Sequence, residues 1–277
     1  MERLPARQVC VVLPVKNGAH HLAATVAALD AVLEAMAYCS STILVAENGS
    51  TDATPALAAS LARKFPRVRV LRLPAAGRGG ALRAAWTSSS AEVLAYMDVD
   101  SATDLVHLPE LLESVLQQRA DLAIGSRLKH PRQTRRGWRR ELLSRGYSEL
   151  VGRCLGAGFQ DAQCGFKAVS RRVVEALLPL VGNQHWFFDT ELLTLAGHAG
   201  CRIHEFPVRW QDHVETSTVK VVPTILQMLR GIARLKRRLR NGLGEEARAR
   251  WQAAGAMRPQ RTIPVADHGL LPGPLST

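Results

Sequence analysis

Acidic residues are in short supply in this chain. Against 36 lysines and arginines stand 24 aspartates and glutamates, a formal net charge of +12 at pH 7. Such a balance favours anionic partners: nucleic acid, an anionic membrane surface or a phosphorylated substrate. Aromatic residues make up only 5%, and no RNP, zinc or helix-turn-helix pattern occurs, which leaves a basic nucleic-acid-binding protein as a remote alternative. The cysteines are few, odd in number and scattered (Cys10, Cys39, Cys154, Cys164 and Cys201), with no CxxC pair. Neither a disulfide framework nor a zinc site is indicated, and buried free thiols are expected. No apolar run approaches the roughly 18 residues of a membrane span. The opening MERLPARQVCVVLPV lacks the h-region and cleavage site of a signal peptide. These absences point to a cytoplasmic chain, soluble or peripheral on the inner face of a membrane.

What is present is a repeating pattern. The chain has 277 residues, 47% of them hydrophobic, enough for a substantial core. VCVVLPV, TILVAEN, RVRVLRL, EVLAYMD and DLAIGSR read as strands. Between them, HHLAATVAALDAVLEAMAYC, TPALAASLARKF, GGALRAAWTSSS and LPELLESVLQQ carry apolar residues at helical spacing. Such βα alternation with apolar strands predicts an α/β fold: a mostly parallel central sheet with helices on both faces. Ligands of such sheets sit at the carboxyl ends of the strands. Further on, GFQDAQCGFKAVS reads as a loop entering a strand, and HWFFDTELLTLAGHAG as a helix ending at glycine. RIHEFPVRW reads as a strand pair or an edge strand, because Pro207 interrupts it. From Val221 to Leu239, apolar residues fall at Ile225, Met228, Leu229, Ile232, Leu235 and Leu239, and Arg230, Arg234, Lys236, Arg237, Arg238 and Arg240 fill the other face. That is a basic amphipathic helix, suited to packing on the domain or lying on an anionic membrane. The expected organisation is one domain over 8–220, this helix over 221–243, and a Pro- and Gly-rich disordered tail over 255–277.

The chemistry is concentrated at strand ends. YMDVD ends an apolar run with Asp98 and Asp100, two carboxylates two residues apart. Such a pair needs compensation, and hard oxygen ligands suit Mg²⁺ or Mn²⁺. The next candidates are LPVKNG, AENGSTD and AAGRGGALRAAW. In the last, glycines would bring the backbone close to a ligand, Arg78 offers a cation and a helix N-terminus favours an anion. The spacing is neither a Walker loop nor GxGxxG. Between Arg127 and Arg153 lie seven further basic residues, with only Glu141 and Glu149 opposing. Asp189 follows two phenylalanines; it suits either an active-site carboxylate or a cap paired with an arginine. Cys164, Trp186 and Trp210 read as packing residues, and His213 as a loop residue.

LPVKNG, AENGSTDATP, GRGGALRAAW, YMDVD, AIGSR, DAQCGFKAVS and WFFDTELL, in this order over about residues 8–240, resemble family-2 glycosyltransferases of the GT-A fold. DAQCGFKAV is similar to a pattern of the polyprenyl-phosphate branch, which includes dolichyl-phosphate glucosyltransferase and mannose synthase. The resemblance implies a nucleotide-sugar site at Pro14, Val15, Asn17, Glu47, Arg78, Asp98 and Val99. It places a divalent metal on Asp98 and Asp100, and acceptor binding at Arg127, Arg145, Asp161 and Gln163. It also implies a catalytic role for Asp98, Asp100 and Asp189. The chain departs from the family where PxYNE is common: Lys16 and Gly18 replace the aromatic and the carboxylate. Glu47-Asn48 stands for the usual acidic pair, and Arg78 for a lysine.

The activity so implied is inverting, metal-dependent transfer of a sugar from a UDP-glucose-like or GDP-mannose-like donor to a polyprenyl phosphate. A phosphate acceptor is already anionic near neutral pH, so it needs positive residues to position it, not a base. A soluble hydroxyl acceptor, such as a secondary metabolite, is the alternative. It would need a carboxylate base, for which Asp189 and Asp161 are the candidates.

Overall fold

Strand β1 (Arg7–Val15) shows how the sheet forms. Val9, Val11, Leu13 and Val15 enter one hydrophobic cluster and Cys10 and Val12 enter another, because successive side chains of a strand point to opposite faces. Both faces are covered, which is why the strand reads as a continuous apolar run. The computed structural model describes residues 7–74, 77–129, 134–135, 138–211 and 221–256. His213 and the tail from residue 257 lie outside them.

The chain continues through α1 (Ala19–Ala35), β2 (Cys39–Asn48), α2 (Thr54–Lys64), β3 (Val68–Leu73), α3 (Arg78–Ser88), β4 (Val93–Met97), α4 (Leu108–Leu116) and β5 (Leu122–Ser126). Then come β6 (Thr134–Arg135), α5 (Trp138–Leu155), β7 (Phe166–Ser170), α6 (Arg171–Leu177), α7 (Phe188–Ala199), β8 (Ile203–Pro207) and β9 (Trp210–Gln211). Helices α8 (Val221–Arg238) and α9 (Gly244–Ala256) follow. The main sheet has seven strands in the order β3-β2-β1-β4-β7-β5-β8. All its pairings are parallel except those of β7, which runs antiparallel to both β4 and β5. The expected mostly parallel α/β sheet is therefore what forms. β8 is an edge strand, which suits Pro207, and β9 pairs separately with β6.

Helices α1, α2 and α4 bury Leu22, Leu29, Leu61 and Leu112 against one face of the sheet. Helices α3, α6 and α7 bury Leu82, Val173 and Leu192 in the cluster on the other face, and α8 and α9 add Ile232 and Trp251 to it, α9 packing on α6 and α7. Helix α7 ends at Gly200, whose φ of +81° is the left-handed C-terminal cap.

Helices α5 and α9 were not read from the sequence. In α5 the inward stripe is Tyr147, Leu150, Val151, Cys154 and Leu155, at helical spacing but interleaved with arginines. The reading of α8 is corrected in detail. Met228, Ile232 and Leu235 are buried, whereas Ile225 and Leu229 are exposed together with Leu226. Arg238 is not on the free face: its guanidinium donates to Glu191 Oε1 at 2.5 Å and to the Leu180 carbonyl at 2.8 Å. Gly231 lets α8 approach closely, since a Cβ there would lie 2.5–2.7 Å from the Phe187 ring. Two non-helical residues, Asn241 and Gly242, then turn the chain into α9, and Arg172 stacks on Trp251 at 3.5 Å to hold that helix in place.

Candidate active site

The carboxyl ends of β1, β2 and β4 meet in one place. Pro14 and Val15 pair in register with Ala46 and Glu47. Asn17 adopts φ +52°, a conformation asparagine tolerates. From there its N–H donates to Ser50 Oγ at 2.9 Å and its Oδ1 accepts from the Thr51 N–H at 2.8 Å. Glu47 is buried and accepts from the Ser50 N–H at 2.6 Å. Val15 is also buried, beneath Gly18. Its side chain belongs to the core, so a role at a ligand would fall to its backbone. Val99 is fixed through its carbonyl, which accepts from Thr25 Oγ1 at 2.6 Å.

The glycines of GRGG act differently from expectation. A Cβ at Gly79 would meet Phe188 Cβ at 2.6 Å, and the Gly80 N–H donates to the Gln184 carbonyl at 2.9 Å. These glycines let the start of α3 press against the segment leading into α7. Asn48 Oδ1 accepts from the Gly77 N–H at 3.1 Å, tying β2 to the same point. The consequence is the position of Arg78.

Arg78 lies over a buried charge cluster. Its Nη2 donates to Asp98 Oδ1 at 2.8 Å and its Nη1 is 3.5 Å from Asp189 Oδ2. The guanidinium sits 5.1 Å from the Tyr96 ring centroid and 5.0 Å from that of Trp186. Beneath it, Asp189 Oδ1 accepts from the Tyr96 hydroxyl and lies 3.3 Å from Lys167 Nζ. Lys167 Nζ donates in turn to Tyr96 Oη at 3.1 Å and to the Cys164 carbonyl. Both Lys167 and Asp189 are buried. Asp189 thus pairs with an arginine and a lysine within the cluster that holds Asp98. Tyr96 and Lys167 were missed by sequence reasoning, though both lie inside quoted motifs. The signal was a lysine within an apolar strand, directly opposite Tyr96 on the neighbouring strand.

Asp98 is half-buried. Desolvation raises its carboxyl above the ordinary range, Arg78 opposes that, and Asp100 and Asp189 add to it. Burial also lowers the Arg78 guanidinium, but Asp98, Tyr96 and Asp189 outweigh it and keep it cationic. Asp100 is half-buried too, with Oδ1 accepting from the Ala102 N–H at 3.1 Å. Gly165 backs the site: a Cβ there would collide with the Asp98 carboxylate, and the Gly165 carbonyl accepts from the Asp98 N–H at 3.0 Å. Asp98 and Asp100 offer hard oxygen donors suited to Mg²⁺ or Mn²⁺. Among the described residues no third His, Cys, Asp or Glu joins them in a metal-ligating group. A cation there would need further oxygens from its ligand.

At the sequence-predicted acceptor residues, Arg127 and Asp161 are buried against each other. Arg127 Nε and Nη2 donate to the Asp161 oxygens, each at 2.7 Å, and the Arg127 backbone N–H adds a third bond at 3.0 Å. Trp210 lies against the guanidinium, 5.0 Å from ring centroid to Cζ. The Asp161 N–H donates to Glu205 Oε1 at 2.9 Å, which ties the loop to the edge strand. Gln163 Nε2 donates to Thr190 Oγ1 at 2.9 Å, and Tyr147 of α5 shares that hydroxyl at 2.7 Å. Gln163 is thereby brought beside Asp189. Arg145 is not drawn into this group; it pairs with Glu141 one turn earlier at 2.9 Å. All five cysteines are free thiols, and burial pushes Cys164 up to about 12.

Two solved structures share the fold. Glucosyl-3-phosphoglycerate synthase from Mycobacterium tuberculosis, crystallised with Mn²⁺, UDP and glucosyl-3-phosphoglycerate, superposes with a TM-score of 0.58 at 16% identity, over 92% of this chain and 82% of that one. Mannosyl-3-phosphoglycerate synthase from Rubrobacter xylanophilus gives 0.53 at 18% identity, over 94% of this chain and 78% of that one. In sequence, the chain is 41% identical over 238 residues to glycosyltransferase AglD of Haloferax volcanii, covering 82% of this chain and 38% of that protein. It is 31% identical over 177 residues to a dolichyl-phosphate β-glucosyltransferase of Trichomonas vaginalis, 61% of this chain and 52% of that one. It is 32% identical over 191 residues to the human dolichyl-phosphate β-glucosyltransferase, 65% of this chain and 58% of that one. The chain spans less than two thirds of the length of each of these relatives. The family model for glycosyl transferase family 2 matches residues 10–178, from the first strand through the Asp98 cluster to the end of α6, and the chain belongs to that family.

Proposed function

We propose that this chain transfers a hexosyl group, with inversion, from a nucleotide-sugar donor to a polyprenyl phosphate. The dolichyl-phosphate β-glucosyltransferases among its relatives support that acceptor class. The observation that carries the choice is the burial of both candidate bases. Asp189 is 1% exposed, with Oδ1 held by Tyr96 and Lys167 and Oδ2 3.5 Å from Arg78, and Asp161 is 2% exposed and held by three donors of Arg127. A hydroxyl nucleophile would need one of them exposed to it to take its proton. A phosphate acceptor, with a second pKa near roughly 6, arrives already anionic.

Asp98 and Asp100 would hold Mg²⁺ or Mn²⁺ on the donor diphosphate. When bound, that cation supplies Lewis-acid stabilisation of the leaving group. Pro14, Asn17, Glu47 and the Val15 and Val99 backbones shape the nucleotide end. Arg78 contributes a second positive charge where the diphosphate departs, and Asp189, Tyr96 and Lys167 hold it there. Arg127 and Asp161 hold the acceptor-side loop on β5 and β8, and Gln163 offers that loop's polar contact next to Asp189. Arg145 stands further out, where it would meet an approaching phosphate.

A lipid acceptor requires a route to a membrane. No described helix is long and apolar enough to cross one. Neighbouring helices α5 and α8 instead expose Leu142, Leu143, Ile225, Leu226 and Leu229. Exposed Arg145, Arg230, Arg234 and Arg237 lie on the same two helices. Apolar side chains beside arginines suit the interface of an anionic bilayer, and we place the chain there as a peripheral protein on the cytoplasmic side.

The test is product analysis by mass spectrometry, with UDP-glucose or GDP-mannose and either a polyprenyl phosphate or the matching polyprenol. Glycosylated lipid phosphate is expected with one donor, none from the polyprenol, and none from Asp98→Asn or Asp100→Asn. Transfer to the polyprenol at a comparable rate would transfer the case to a hydroxyl acceptor.

A further inference from the structure

Arg78 stands at the carboxylate that the divalent cation would use. Its guanidinium donates to Asp98 Oδ1 at 2.8 Å, lies between two aromatic rings, and is backed by Asp189 at 3.5 Å. Its Nε is buried without a hydrogen-bond acceptor, so the side chain is placed by Asp98, Asp189 and the rings alone. Across this cluster, three carboxylates (Asp98, Asp100, Asp189) face two cations (Arg78, Lys167). Lys167 is fully buried and committed to Asp189, Tyr96 and the Cys164 carbonyl. Among the described residues, Arg78 is the one that pairs with both the buried carboxylate and the outer one.

We infer that Arg78 is the internal counter-ion of Asp98, competing with the divalent cation until a nucleotide diphosphate takes it over. The inference rests on the donor-site reading given above. A divalent ion on Asp98 alone would compete with the guanidinium for Oδ1 and face its like charge at short range. Two carboxylates, one of them already paired, make a poor cation site. A diphosphate changes the balance: it offers oxygens to the ion and a new anionic partner to Arg78. Metal and diphosphate then bind with positive coupling, and linkage makes that coupling reciprocal. Tyr96, Asp189 and Lys167 are the positioning residues, since they keep the guanidinium within reach of both partners.

The experiment measures Mn²⁺ binding directly, by electron paramagnetic resonance of the free ion, with and without UDP or GDP. The wild type should bind Mn²⁺ weakly alone and much more tightly with one of the nucleotides. Arg78→Gln should bind Mn²⁺ alone about ten- to a hundredfold more tightly than wild type, the range of one charge-assisted hydrogen bond. Its gain from nucleotide should shrink. Arg78→Lys keeps a cation against Asp189 but cannot span both carboxylates, and should fall between; it carries the test if Arg78→Gln does not melt cooperatively. Unchanged or weaker Mn²⁺ binding in the folded variant overturns the inference. Asp98→Asn separates the two readings. If it binds Mn²⁺ with nucleotide as wild type does, the donor site itself is misplaced and the inference falls with it. If Asp98→Asn abolishes binding while the Arg78 variants match wild type, the inference alone fails.

Discussion

Replacing Asp161 by asparagine removes one charge and almost no volume, from a pair buried on both sides. Asp161 accepts three hydrogen bonds from Arg127, at 2.7, 2.7 and 3.0 Å, and a fourth from the Gln163 N–H at 3.2 Å. Both side chains are at most 10% exposed. In Asp161→Asn the amide NH₂ would face the Arg127 donors, and the guanidinium would stay buried without the Asp161 charge. Breaking a buried pair from one side costs about 3–5 kcal/mol. For a domain of this size, that lowers the melting temperature by roughly 6–20 °C. The pair also sets a pH dependence. Burial alone would raise the Asp161 carboxyl, but the charge and hydrogen bonds of Arg127 outweigh it and hold it below the usual range. A depressed folded pKa contributes stability that is present above the unfolded value and lost as pH falls through the folded one. Wild type should therefore lose stability below about pH 4 more steeply than Asp161→Asn, which has no carboxylate there to protonate. Urea melts at several pH values measure both effects. The double change Arg127→Met/Asp161→Leu should recover much of the loss, because a buried pair exchanged for apolar side chains is often neutral. A single-variant loss below about 1 kcal/mol, the worth of an exposed pair, would refute the reasoning.

Gly165→Ala should leave the fold intact while weakening metal-dependent nucleotide binding by about tenfold or more, since a Cβ there displaces the Asp98 carboxylate; calorimetry with UDP or GDP and Mn²⁺ reads it. Gly231→Ala should cost about 1–3 kcal/mol in thermal or chemical melts, because its Cβ would press on the Phe187 ring. Leu226→Glu/Leu229→Glu should keep the melting temperature, both residues being exposed. It should also reduce flotation with anionic lipid vesicles by about tenfold or more, and equal flotation would remove α8 from the membrane face.

The strands and the first helices were legible because their periods are clean. Val9, Val11, Leu13 and Val15 alternate with Cys10 and Val12 in a sheet covered on both faces. The antiparallel insertion of β7 between β4 and β5 was not legible, since nothing local in FKAVS states which strands it joins. Helix α5 was hidden by its arginines, which hold a narrow apolar stripe of Tyr147, Leu150, Val151 and Cys154 against the core. At the site, the motifs located Asp98, Asp100, Arg78 and Asp189 but not their mutual use. The bonds that decide that use span 20 residues between Arg78 and Asp98 and 93 between Tyr96 and Asp189. Gly79 and Gly80 carry the same lesson: their glycine identity is required by Phe188 and Gln184, more than a hundred residues away.

The basic excess divides once partners are assigned. Several arginines neutralise or cap the interior. Arg78 serves Asp98, Arg127 serves Asp161, Arg202 pairs with Asp121 at 3.0 Å, and Arg238 joins α8 to Glu191 of α7. Arg171 donates to the Trp86, Ser89 and Ala91 carbonyls, closing the end of α3. Arg78 and Arg127, each about 10% exposed, are the least available of these to an anion in solution, whereas Arg202 keeps 59% of its side chain exposed. Exposed arginines on α5 and α8, among them Arg145, Arg230, Arg234 and Arg237, share those helices with exposed leucines. Charge that screens with salt and leucine contact that does not would then act together at one surface. Raising salt should therefore weaken vesicle binding without abolishing it, whereas Leu226→Glu/Leu229→Glu should abolish what high salt leaves behind. Binding lost wholly to salt in the wild type would mean that the leucines stay out of the bilayer and the arginines alone find it.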